Sequence, residues 1–394
     1  MTTEEKREAS RANVVYRGDP VDWLERSEPS PNLHIRVDWD RRVPEVRFVP
    51  VNAGQQMEGW TSEGPGYQEA LKFAQYLETH LGKIAPGFRR PSAWPSVRHR
   101  LKALGWRAAD RILPVKLIEY VNDNLDPGNT LTISTNECWI PWELVFDLKR
   151  NEFWGEMFVL NRRQTRDVRP QLPPRMTQPH PSLRKGKRVV SVVGDRTGSA
   201  RLAPSLWKKF LPDLESLESN EPTRSQFFTV ARVVAAIESG AEIIHLTCHG
   251  EVDHAGERYL RLGPHASEHF LYAFDVLPVD IGEGLLFLNA CSAVAPHDAG
   301  LGPWLGLTTF GWLVELRRKG AVIGTYAPIS AVAANEVATR FYQHFLVDNL
   351  TAGESLYRTK QSLKLENKPF GLVYSLYGDA NLKLSPASPS AELQ

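Results

Sequence analysis

A thiolate and an imidazole held side by side can cleave an acyl bond, and this chain has few thiols to offer: Cys138, Cys248 and Cys291. Two of the three stand at the ends of apolar runs. Ile243-Ile244-His245-Leu246-Thr247 leads into Cys248-His249-Gly250, and Leu285-Leu286-Phe287-Leu288-Asn289-Ala290 leads into Cys291-Ser292. Both runs are short and nearly continuous, as expected of strands covered on both faces. If they are neighbours in a parallel sheet, their tips lie on one rim, about 4.8 Å apart. Open α/β sheets bind ligands beyond that rim. The chemistry has a use for each part. Cys291 as thiolate is the nucleophile, and His249 can protonate a departing amine. The backbone N–H groups of Gly250 and Cys291 are candidates to hold a developing oxyanion.

The same residues admit a plainer reading. A cysteine at a strand end can be a small buried hydrophobe, and a histidine there can be a hydrogen-bonded structural group. Spacing alone leaves both readings open. Cys248 alternates to the opposite face from His249 and reads as packing, and His245 reads as a core histidine. A metal site built from His245, Cys248, His249 and His254 lacks paired ligand spacing, so no metal is expected. Ser292 lacks the G-x-S-x-G frame of a serine nucleophile. The stretch VVGDRTGSA fits neither glycine pattern that cradles phosphates, and no cofactor is expected.

The elements that must position these tips follow from the rest of the chain. Its 394 residues allow two or three domains. Lys plus Arg (47) nearly balances Asp plus Glu (46), so the net charge argues for neither nucleic acid nor membrane. Three cysteines are too few for a disulfide framework and fit a reducing, cytoplasmic setting. The charged start is no secretory signal, and no apolar run is long enough to span a bilayer. Residues 1–30 read as a mobile leader and 387–394 as a disordered tail. Residues 31–160 open with a hairpin, LHIRVD and EVRFVPV. Two helical regions follow, then the strand NTLTIST and a short helix from Pro141. A basic, proline-rich stretch, 161–186, reads as a solvated linker that includes Arg162, Arg163, Arg166, Arg184 and Lys185. Without interleaved aromatics, direct contact with nucleic acid is not expected there. Residues 187–386 alternate strand and helix, which argues for a doubly wound, mostly parallel α/β sheet.

At this point several boxes in order carry a resemblance. HLTCHG followed by LLFLNACSA resembles the histidine and cysteine boxes of the CHAT family, caspase-like cysteine peptidases related to separase and the caspases. Pro141-Trp142-Glu143 after a strand, RKGAVIGTYAPIS, and the closing Tyr377-Gly378-Asp379 are similar to further family elements. The family continues Gly-Asp-Pro, and this chain has Ala380.

The resemblance implies a caspase-like fold in two parts, a degenerate half before the linker and an active half after it. It implies Cys291 as nucleophile, His249 as its partner, and Gly250 and Cys291 N–H groups as the oxyanion hole. Basic-specific relatives carry an acidic residue two positions before the cysteine. Asn289 stands there, so a neutral or apolar residue is expected before the scissile bond. Tyr326, Pro328 and Ser330 are candidate pocket walls, and Asp298, Asp280 and Glu283 are the alternatives should a basic residue be selected. The implied function is a cytosolic endopeptidase that cuts a protein partner once a second protein or a signal releases it, in a prokaryotic defence or cell-death circuit. The competing function is a catalytically silent scaffold.

Overall fold

The computed structural model describes residues 33–40, 45–52, 55–56, 59–63, 67–164, 189–193, 210, 217–219, 229–238, 242–254, 257–263, 266–276, 284–293, 295, 297–298, 307–308 and 320–383. The leader, the linker from residue 165 onward, the VVGDRTGSA stretch beyond Val193, Asp280, Glu283 and the tail lie outside them. So do nearly all of the helices expected at PSLWKKFLPDLESL and LTTFGWLVELRRKG.

Strands β1 (Leu33–Asp40) and β2 (Glu45–Asn52) form the expected antiparallel hairpin. Leu33, Ile35, Val37 and Trp39 are buried, while Arg36 and Asp38 alternate outward and pair with each other at 3.0 Å. Short strands β3 (Gln55–Gln56) and β4 (Trp60–Glu63) both pair with β2. Helices α1 (Tyr67–Ile84), α2 (Trp94–Ile112) and α3 (Val115–Asn124) follow. The second helical region is split between α2 and α3 at Leu113-Pro114, where Leu113 is extended as a residue preceding proline prefers.

Strands β5 (Thr130–Thr135) and β6 (Val159–Gln164) are parallel neighbours. Beyond the linker come β7 (Val189–Val193), β8 (Leu217–Ser219) and helix α4 (Val230–Glu238). Next are β9 (Ile243–Val252), β10 (Arg258–Arg261), β11 (Phe270–Tyr272) and β12 (Leu285–Ala290). Strand β13 (Ala321–Thr325), helices α5 (Ala331–Tyr342) and α6 (Ala352–Leu365), and β14 (Tyr374–Gly378) close the chain.

All of these strands belong to one 14-stranded mixed sheet, ordered β8-β7-β9-β12-β13-β14-β6-β5-β1-β2-β3, with β10 and β4 branching off β9 and β2. The α/β class read from the sequence is therefore observed. β12, β13 and β14 are buried at every residue, which explains the nearly continuous apolar runs of the first two.

The sheet corrects one boundary. Residues 161–164, expected to start a solvated linker, are the end of β6 and lie inside the sheet. The two expected halves meet where β14 inserts between β13 and β6. Register there is set by one pair, Tyr377 with Arg162. The Asn161 side chain reinforces it, donating to Gly378 O at 3.0 Å and accepting from Thr132 at 2.8 Å.

Candidate active site

The register of β9 on β12 decides where the two tips fall. Ile243 lies beside Leu285, and the ladder runs in step to Cys248 beside Ala290. His249 and Cys291 are the next residue on each strand. β9 does not stop there. It leaves β12 and turns to antiparallel pairing with β10, His249 facing Arg261 and Gly250 facing Leu260. Polar residues in HGEV gave no strand signal, so this extension and the hairpin of β10 and β11 were not legible in advance.

Gly250 is where the two tips press together. A Cβ at that position would stand 1.9 Å from the Cys291 carbonyl oxygen, a backbone atom that cannot swing aside. Only a residue without a side chain permits this approach. Cys291 then opens a tight turn. Ser292 takes a left-handed φ of 52°, and its N–H donates to Ala327 O at 3.2 Å. A non-glycine residue held at positive φ beside a reactive group is a common mark of a built site.

The segment after β13 holds the thiol from the other side. Ile329 N–H points at the Cys291 sulfur at 3.5 Å, and Ile329 O lies 3.5 Å from the same atom. Helix α5 begins just beyond, capped by Ser330, whose hydroxyl accepts from Ala333 N–H at 3.3 Å. A donor N–H at the head of a helix suits an anionic sulfur. Both His249 and Cys291 are half-buried. A shallow cleft opens over Cys291, lined by Gly250, Glu251, Arg258, Tyr259, Cys291 and Ser292. Its charges are largely engaged. Glu251 accepts from Tyr259 OH at 2.7 Å and pairs with Arg261 at 3.1 Å, and Arg258 pairs with Glu78. Burial, with Glu251 alongside, pushes the Tyr259 hydroxyl up to about 12, so it remains a donor.

The other residues singled out by sequence are placed as follows. His245 is a buried histidine, bonded to Tyr342 OH at 2.9 Å and Thr247 at 2.8 Å and stacked on Phe287. Burial pushes it down to about 3, so it stays neutral. Cys248 is buried and its thiol pushed up by burial, which keeps it a packing group. Asn289 is also buried, its amide oxygen accepting from Tyr374 OH at 2.7 Å. Pro328 is half-buried, and Ser330 is the helix cap. Tyr326 is not a pocket wall: it is 4% exposed and its hydroxyl turns into the core toward Arg162. Asp298 lies in a two-residue strand paired with Leu307–Thr308. Among the described residues no group of three His, Cys, Asp or Glu side chains is arranged to hold a metal ion. No described helix is long and apolar enough to cross a membrane.

The group that sequence reasoning missed is Arg162. It was read as linker charge, yet it is 1% exposed. Its guanidinium bonds Glu143 and Tyr326 OH and approaches Tyr377 OH at 3.4 Å. It also lies over both tyrosine rings, 4.8 Å and 5.4 Å from their centroids. Burial alone would lower its affinity for a proton, but Glu143 and the tyrosines beside it win and raise it. Removing one member of such a buried pair costs about 3–5 kcal/mol. Glu143 is set in place by α2, because Gly105 lets that helix rest on Leu144 O, 1.8 Å from where a Cβ would be. Nearby, Glu137 accepts from Ile140 N–H and the Trp142 indole, each at 2.8 Å. The available signal was Glu143 itself, a carboxylate in an apolar segment that needs a cation.

A protein of Vitiosangium sp. (strain GDMCC 1.1324) named Probable protease is 28% identical over 155 residues, 38% of this chain and 20% of that one. The chain thus spans about one-fifth of that relative's length. Among solved structures, the Saccharomyces cerevisiae separase–securin complex aligns at a TM-score of 0.55 with 10% identity, covering 88% of this chain and 30% of that one. A second structure of the complex, at 2.6 Å resolution, gives 0.53 over the same shares. At such identity the likeness is one of fold, and the fold is the one those structures contain. The CHAT domain profile matches residues 117–371, well over half of the chain and including both strand tips, and the chain belongs to the CHAT domain family.

Proposed function

We propose that the chain is a cysteine endopeptidase working through a Cys291–His249 dyad. The observation that carries the reading is the seating of Gly250 against the Cys291 carbonyl, which sets the histidine-bearing tip against the cysteine-bearing one. In the first step the Cys291 thiol gives its proton to His249 as the sulfur bonds to the scissile carbonyl carbon, and the N–H groups of Gly250 and Cys291 hold the oxyanion. The C–N bond then breaks as His249 gives its proton to the leaving amine. Water attacks the thioester and gives a proton to His249, and the C–S bond breaks to release the acid product while the Cys291 sulfur takes that proton back. The uncharged Asn289 supports a neutral or apolar residue before the scissile bond.

The resting sulfur is held between Ile329 N–H and O. Productive binding therefore needs the surrounding loops to open. This supports control by a partner protein or signal, within a cytosolic defence or cell-death circuit in which a specific protein is cut. The test is the wild type and Cys291→Ala incubated with candidate protein substrates, cut sites being mapped by mass spectrometry. Cleavage by wild type alone is expected. Cleavage that survives Cys291→Ala would rule the mechanism out.

A further inference from the structure

We propose that Arg162 is a positioning residue for Cys291, acting through Tyr326. The inference rests on the peptidase reading of Cys291 and adds a role for a residue of the first half. Tyr326 is the first residue after β13. Two of the three residues that follow it carry the contacts to the Cys291 turn: Ala327 O accepts from Ser292 N–H at 3.2 Å, and Ile329 N–H and O both meet the sulfur at 3.5 Å. The orientation of the thiol thus depends on where this short segment begins. Tyr326 fixes that beginning in two ways. Its N–H donates to Val373 O at 2.8 Å. Its ring is clamped under the Arg162 guanidinium, 4.8 Å from the centroid, with its hydroxyl bonded to the same group and lying 3.4 Å from Ile140 O. Arg162 is in turn held by Glu143.

A purely stabilising pair would not need this connection. Arg98 and Glu156 form such a pair at 2.5 Å, between α2 and the Trp154–Met157 turn, away from the hydrogen bonds that hold the segment after β13. The two clusters therefore serve as experiment and control.

The experiment measures the rate of Cys291 carbamidomethylation by iodoacetamide from pH 5 to pH 9 in the full chain, with each cysteine followed by peptide mass spectrometry. Tyr326→Phe is the main variant, because it keeps the ring and the Arg162–Glu143 pair and removes only the hydroxyl. Arg162→Lys is the second, and Arg98→Met is the control. The expected result is a Cys291 rate at pH 7 that changes about tenfold in Tyr326→Phe, with a displaced pH profile, while Arg98→Met lowers Tm and leaves the profile in place. Arg162→Lys keeps the charge and should fall between wild type and Tyr326→Phe. A lowered Tm with an unmoved profile in Tyr326→Phe would overturn the inference and leave the peptidase reading standing. A wild type in which Cys291 reacts no faster than Cys138 or Cys248 would overturn the peptidase reading, and the inference with it.

Discussion

The arrangement around Cys291 depends on atoms that are absent as much as on those present. Gly250 has no side chain, and any replacement must move either β9 or the nucleophile's own carbonyl. Gly250→Ala is therefore expected to reduce Cys291 labelling by a peptidyl electrophile at least about 100-fold, the scale of losing an oxyanion donor. Circular dichroism should still report a folded chain. Equal labelling would mean that the tips are not in contact. Residue chemistry was partly legible in advance. Cys291 and His249 stood out because reactive groups ended apolar runs, and His245 was recognisable as core from its place inside one. Tyr326 was misread because a tyrosine just past a strand end looks like a rim residue. Nothing local in the sequence says that a buried arginine is waiting behind it.

At the scale of elements, the apolar runs were sufficient to find β12, β13 and the first part of β9, and the 3.6-residue spacing to find α1 and α5, whereas β14 was seen only through the family resemblance and α6 was not seen. What they could not supply is partnership between distant segments. Arg162 lies within β6, a strand the sequence reading did not find, and its partners Glu143, Tyr326 and Tyr377 come from three other elements and meet only when β14 is laid beside β6. Helix α6 bears a related cost. Lys360 is buried on it, and burial lowers its affinity for a proton to about 8 despite the attraction of Glu143. Between that value and the ordinary 10.5 the unfolded chain holds a proton that the folded chain lacks, so stability rises with pH across this window. At pH 7 both states are charged and the folded state carries the full penalty. Lys360→Met is expected to raise stability at pH 7 by about 1–3 kcal/mol and to abolish the alkaline rise. Denaturant melts at pH 7 and pH 10 check this, and a loss of stability at pH 7 would show that Lys360 is net favourable.

For the whole molecule, the shared sheet has a consequence that a two-domain reading did not anticipate. The first half supplies β6, against which β14 is seated, and Glu143 and Arg162, which sit beside Tyr326 and Tyr377 of the second. A fragment beginning at residue 187 would expose the flank of β14 and two buried tyrosines. It is expected to be insoluble or molten, while the intact chain unfolds in one transition. Two separate transitions in calorimetry would contradict a shared core. The basic, proline-rich sequence between the halves drew attention to a seam, and the seam is a sheet interface crossed by the contacts of Arg162 with Tyr326 and Tyr377.

The most direct measurement of the central claim is site-resolved adduct formation with a neutral-residue peptidyl acyloxymethyl ketone, which needs the thiol and its proton donor together. Wild type, Cys291→Ala and His249→Ala would be compared by intact-mass and peptide-map analysis. The account predicts one adduct, on Cys291, absent from Cys291→Ala and at least about 100-fold slower in His249→Ala. An adduct on Cys138 or Cys248, or a Cys291 adduct that forms equally fast without His249, would contradict it.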